Sequence, residues 1–206
     1  MKKVTLIFFL LLSAHVVLNA QQNETQIKQK INQTASSIKT MQCDFVQTKY
    51  LRMLNNNLVS KGRMYYQQSN RLRWEYLSPY TYTFIINNDK VLLKNSQRKD
   101  IVDIQQNKLF KEIARIMMNS VLGNCLNDEK SFKSSISVSG GEWVATLLPQ
   151  RKEMKQMFQK IVLHFSQKQA MVTQVELTEK NGDKTVINLK NVKTNETIST
   201  DMFTVD

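Results

Sequence analysis

The stretch that most restricts this chain runs from Arg71 to Tyr76, where Arg71, Arg73 and Glu75 point one way and Leu72, Trp74 and Tyr76 the other. A period of two, with one wet and one dry side, belongs to a strand; in a helix, residues three and four apart would share a face. Residues 63–67 are also strand-like and are set off by Gln68, Ser69 and Asn70, polar turn formers of hairpin length. The two runs therefore predict an antiparallel hairpin with a broad aromatic surface.

Runs of this kind fill most of the chain. Strands are predicted at 43–52, 58–67, 71–77, 82–87, 90–95 and 99–104, then at 132–138, 143–148, 157–166, 171–179 and 185–192. Turn chemistry separates them at Asn55-Asn56-Asn57, Asn87-Asn88-Asp89, Ser139-Gly140-Gly141-Glu142 and Asn181-Gly182-Asp183. Two segments change to the helical period. Residues 21–41 carry one stripe of Ile27, Ile31, Ala35 and Ile38, and 105–122 carry Leu109, Ile113, Ile116, Met117, Val121 and Leu122 before the stop signal Gly123-Asn124. Residues 149–156 are charged and are expected to form an exposed connection. The fold class is mainly β with α: an antiparallel meander of about eleven strands, which must curl, close or be covered.

The first twenty residues are expected to leave the protein. Lys2 and Lys3 precede an apolar run from Val4 to Leu12, and the segment closes on Leu18-Asn19-Ala20, the layout of a cleaved secretory signal peptide. Residues 21–206 then form a single exported domain, and a monomer is expected. Cleavage removes Lys2 and Lys3 and no acid, so the formal charge falls only from +12 to +10. That charge suits an anionic surface, yet the basic residues are scattered and no nucleic-acid-binding motif is present, so nucleic acid is not an expected partner.

Little points to catalysis. Beyond the export segment, which holds His15, the only histidine is His164, placed mid-strand between Leu163 and Phe165, and no nucleophile elbow, HExxH, P-loop or GxGxxG occurs. Neither an enzyme, nor a metal, nor a cofactor is expected. Cys43 and Cys125 stand 82 residues apart without metal-ligand spacing; one disulfide and two buried thiols are both compatible with the sequence.

The candidate binding surface is the dry face of the sheet: Tyr66, Leu72, Trp74, Tyr76, Phe84, Ile86, Leu147, Leu163 and Phe165. In a sandwich these residues would simply be core. Two modest helix stripes, however, offer too little apolar area to cover them, so some should face a hollow that an apolar ligand completes. The second helical segment would contribute Ile113, Ile116 and Met117 to that hollow, and Met118 beside them adds a flexible, polarizable side chain.

One resemblance joins these pieces. Gly62, Arg73, Trp74, Tyr76 and Pro79, with Phe45-Val46-Gln47 upstream, Asn87-Asn88-Asp89-Lys90 and Val91-Leu92-Leu93 downstream, and the closing Asp201-Met202-Phe203-Thr204-Val205, resemble in order and spacing the outer-membrane lipoprotein carrier proteins, the LolA family. The resemblance implies an unclosed barrel with helices as a lid over an apolar hollow. It also implies acylated lipoproteins as cargo, received from an inner-membrane ATP-driven transporter and handed to an outer-membrane acceptor. The family's lid is latched by a basic residue followed by proline; here those places hold Gln68 and Ser69, which makes Gln68 the latch candidate and leaves Arg63, Arg71 or Arg73 as substitutes. The same residues admit a binder of free lipid or glycolipid, or a structural or adhesive envelope protein without a cavity.

Overall fold

The computed structural model describes residues 23–205 except 55, 69, 104–115, 117 and 121. The export segment, Ile113, Met117 and most of the second helical segment lie outside the described residues. Eleven strands form among those described: β1 (Thr40–Leu51), β2 (Asn56–Gln67), β3 (Arg71–Ser78), β4 (Tyr82–Asn87), β5 (Lys90–Asn95), β6 (Lys99–Asp103), β7 (Phe132–Ser139), β8 (Glu142–Pro149), β9 (Phe158–Ser166), β10 (Val172–Glu179) and β11 (Lys184–Thr194). Three helices accompany them. They are α1 (23–37), α2 (helical at 116, 118–120 and 122) and α3 (Lys152–Met157).

All strand pairs are antiparallel, in the order β6-β5-β4-β3-β2-β1-β11-β10-β9-β8-β7. Each half is a meander built by tight turns; Gly140 and Gly141, both at positive φ (57° and 78°), make the β7–β8 turn, where side chains at both central positions would be strained. The halves are joined by β1 and β11, which pair Phe45 with Leu189 and Gln47 with Ile187. β6 and β7 are the two edges and do not pair with each other, so the barrel stays unclosed.

The inner face and the helices form the main core, which includes Ile31, Phe45, Met64, Leu72, Leu163 and Phe165. The predicted stripe of α1 is the buried one: Ile27, Ile31, Ala35 and Ile38. Polar contacts tie α1 to the β7 end of the sheet. Glu24 accepts a bond from the Ile136 backbone N–H at 3.1 Å, Asn32 and Asn127 exchange amide bonds at 2.8 Å, and the Lys30 ammonium lies 5.4 Å from the Trp143 ring centre. On the outer face a smaller cluster forms where Phe203 and Val205 of the closing segment cover Ile85 and Leu92. The Phe203 carbonyl accepts a bond from the Asn87 amide there.

The structure departs from the sequence-based expectations in two places. α1 ends at residue 37 rather than 41, because Met41, Cys43 and Phe45 alternate inward and draw the chain into β1. Residues 149–156 are not only an exposed connection: they lead into α3, whose Met154 is fully buried. Cys43 is a buried free thiol, one of the two states the sequence left open, and the side chain of Cys125 lies outside the described residues. Burial first, and the Asp44 carboxylate second, push the Cys43 thiol up to about 12.

Gly62 shows how tightly the floor of the sheet is built. It pairs with Phe45 on β1 and Tyr76 on β3, and a Cβ there would clash with the Glu75 carbonyl oxygen and the Phe45 ring. Gly62→Ala should therefore cost about 3 kcal/mol in urea unfolding, through overpacking. Gly140→Ala has open space around it and should cost about 1 kcal/mol, from its backbone angle alone.

A second prediction concerns pH. Above pH 9 the unfolded Cys43 loses its proton while the native thiol keeps it until about 12. The unfolded state then binds fewer protons, and stability falls as pH rises across that window. In Cys43→Ala the alkaline decline, followed by urea midpoint against pH, should be shallower.

Candidate functional site

The motif residues scattered along the sequence meet on the inner face. With no side chain at Gly62 in the way, the Phe45 ring lies across the strand and stacks on Trp74, centroids 4.3 Å apart and planes 28° from parallel. Tyr76 meets Phe45 edge-on at 5.3 Å. The Tyr76 hydroxyl donates to the Gln47 side-chain oxygen at 3.0 Å. Burial, helped by the neighbouring Tyr80, raises the Tyr76 pKa above the ordinary tyrosine range, while the bond to Gln47 opposes the rise. β1 supplies Phe45 and Gln47 and β3 supplies Trp74 and Tyr76, each pair two residues apart on one face, with Gly62 of β2 between them.

This aromatic floor borders a hollow beneath α2. One compartment of about 230 Å³ is lined by Gln47, Trp74, Tyr76, Ile116, Met157, Phe158, Leu177 and Ile187. A smaller one of about 60 Å³ shares Trp74, Ile116, Leu177 and Ile187 with it and adds Ser120, Val175 and Leu189. Ile116 of α2 is the roof of both. Towards solvent the larger compartment adjoins a groove of about 570 Å³ that includes Gln47, Met157, Phe158 and Leu177 and carries the charged residues Lys49, Glu179 and Lys180. Lys49 and Glu179 are joined there by a 2.9 Å ion pair.

Two polar atoms of lining residues are buried without partners, the Trp74 indole nitrogen and the Ser120 hydroxyl. The indole N–H sits near the Tyr76 hydroxyl, but not in hydrogen-bonding geometry.

Of the candidate binding residues, Trp74, Tyr76 and Ile116 line the hollow. Tyr66, Leu72, Phe84, Ile86, Leu147, Leu163 and Phe165 belong to the packed core. Ile113 and Met117 lie outside the described residues. The sequence reading missed Val175, Leu177, Ile187, Leu189, Met157, Phe158, Gln47 and Ser120. The aliphatic members alternate along β10 and β11 just as core residues do, so nothing local separates lining from filling. Gln68 is exposed, and its backbone N–H bonds the Lys39 carbonyl at 2.7 Å, on the connection that follows α1. The three arginines have other partners on the outer face or turns: Arg63 lies 3.6 Å from Asp44, Arg71 bonds Gln67, and Arg73 bonds Glu75 at 2.8 Å and the Met202 carbonyl.

Fold and site together define an unclosed antiparallel barrel with an apolar hollow under a helix. The chain belongs to the family described as outer membrane lipoprotein carrier protein LolA, whose pattern matches residues 36–206. It is 22% identical over 184 residues to an outer-membrane lipoprotein carrier protein of Methylococcus capsulatus, covering 89% of this chain and 85% of that one. Its fold is similar to the structure of the MucA/MucB complex of Pseudomonas aeruginosa, with a TM-score of 0.53 and 12% identity over 88% of this chain; the match spans 61% of that chain. An uncharacterised conserved protein of Thermus thermophilus is similar as well, with a TM-score of 0.52, 10% identity, and 86% and 91% of the two chains covered.

Proposed function

We propose that this protein is a periplasmic carrier that shelters the acyl chains of lipoproteins between its sheet and α2, taking them up at the inner membrane and releasing them at the outer. The observation that carries the reading is the hollow of Trp74, Ile116, Leu177 and Ile187, apolar and roofed by a helix, in a chain of the lipoprotein carrier family. Binding needs no covalent step, so no catalytic group is assigned.

The energetics are favourable. Each methylene moved from water into such a space contributes about 0.8 kcal/mol, so part of one acyl chain suffices for firm retention. Together the compartments fall just under the roughly 300 Å³ at which ligand pockets begin. Full loading therefore requires α2 to lift, with Ile116 withdrawing from both compartments at once. The export segment supplies the route to the periplasm, and an ATP-driven transporter and an outer-membrane acceptor would be the donor and recipient. In this reading the protein acts as a monomer.

Recovery of the protein from its host without detergent, followed by extraction and mass spectrometry, tests the reading. Acylated protein is the expected cargo; free lipid would move the assignment to a lipid or glycolipid binder, and a protein that carries no lipid and takes up none would defeat both. Variants sharpen the result. Leu177→Asp and Ile187→Asp should each reduce uptake of an acylated lipoprotein more than tenfold while the yield of folded protein falls less, because a charge in the hollow opposes hydrocarbon without removing the aromatic floor.

A further inference from the structure

The β1–β2 hairpin tip carries five of the ten large apolar residues that are exposed among the described residues. Met53 is 95% exposed, Leu54 69%, Leu58 50%, Val59 48% and Tyr50 42%, all within ten residues. Scattered exposed apolar residues need no explanation, but a contiguous group at a hairpin tip does. The tip is uncovered on the β2 side because β3 leaves β2 early, while on the β1 side the β10–β11 turn reaches Arg52, whose backbone N–H donates to the Asp183 carboxylate at 3.0 Å. The last β2–β3 pair is Lys61 with Ser78, whereas β1 and β2 continue to Leu51 and Asn56. Leu77 and Tyr80, also exposed, lie at the same end of the sheet, at the β3–β4 turn.

From this we infer that the β1–β2 tip is a membrane-docking element that inserts its apolar side chains into the interface of an anionic phospholipid bilayer. Charge selects that occupant. Between Thr48 and Arg63 the sequence contains Lys49, Arg52, Lys61 and Arg63 and no acidic residue. Lys49 and Arg63 are ion-paired to Glu179 and Asp44, while the exposed Arg52 and Lys61 flank the apolar tip. Apolar side chains bracketed by cations suit a bilayer with anionic headgroups, where insertion and attraction add. A second copy of the chain is a poor occupant, because pairing two tips would bring these cations together.

The position of the tip adds a consequence. Gln47 lines the hollow and Lys49 the groove outside it, and both stand on β1, two residues apart on the way to the tip. Docking would thus bring the groove to the bilayer surface. The inference does not require the carrier reading, since the tip would bind membrane whatever the hollow holds.

Sedimentation of the mature protein with vesicles of phosphatidylethanolamine and phosphatidylglycerol tests it. The protein should pellet with these vesicles at low salt, bind phosphatidylcholine vesicles less, and be released by salt. Met53→Asp with Leu54→Asp should lower the partition coefficient by about tenfold or more, and the melting temperature should not change, since both side chains are exposed. Arg52→Glu with Lys61→Glu should weaken binding to the anionic vesicles alone. Wild-type protein that stays in the supernatant, or a Met53→Asp, Leu54→Asp variant that pellets like wild type, would overturn the inference. So would a wild-type dimer in solution that this variant converts to monomer.

Discussion

A sheet of eleven strands with one apolar face turned inward has to cover that face, and α1 is too short to do it alone. At strand spacings of about 4.8 Å the sheet is roughly 48 Å across before it curls, whereas a fifteen-residue helix is about 22 Å long. α1 spends its stripe on the β7 end of the sheet, where Glu24, Lys30 and Asn32 hold it beside Ile136, Trp143 and Asn127. The face shared by β1, β3, β10 and β11 is left to α2. That uneven division is why Leu163 and Phe165 are packed solidly while Trp74 and Leu177 look into a hollow.

One side of the hollow is a braced wall. Phe45, Trp74, Tyr76 and Gln47 are locked by stacking, an edge contact and a hydrogen bond across three adjacent strands, with Gly62 making the room. The roof meets it through Ile116, which is buried and contributes apolar contact to both compartments. On the outer face, the closing segment anchored through Phe203 and Val205 stiffens β4 and β5 from behind. A wall braced from both sides can keep its shape while a helix above it moves.

Much of this architecture was legible in the sequence because alternation is a local property. All eleven strands follow from period-two runs and turn residues, and the stripe of α1 from Ile27, Ile31, Ala35 and Ile38. The pairing of β1 with β11 was not legible, since no local signal says that residues about 144 apart, such as Phe45 and Leu189, become neighbours. The site was half legible for the same reason. Trp74 and Tyr76 stood out as large aromatics, but Leu177, Ile187 and Leu189 join the hollow only through the β1–β11 seam. The brief α3 escaped notice because a single buried residue, Met154, carries its apolar side.

The central claim is that foreign hydrocarbon completes the inner face beside Trp74. The most direct test is the emission of that indole during titration with a triacylated lipopeptide, in a Trp143→Phe background so that one fluorophore reports. A saturable, stoichiometric change in Trp74 emission is predicted. Emission that stays constant at saturating lipopeptide, with the protein folded throughout, would contradict the account.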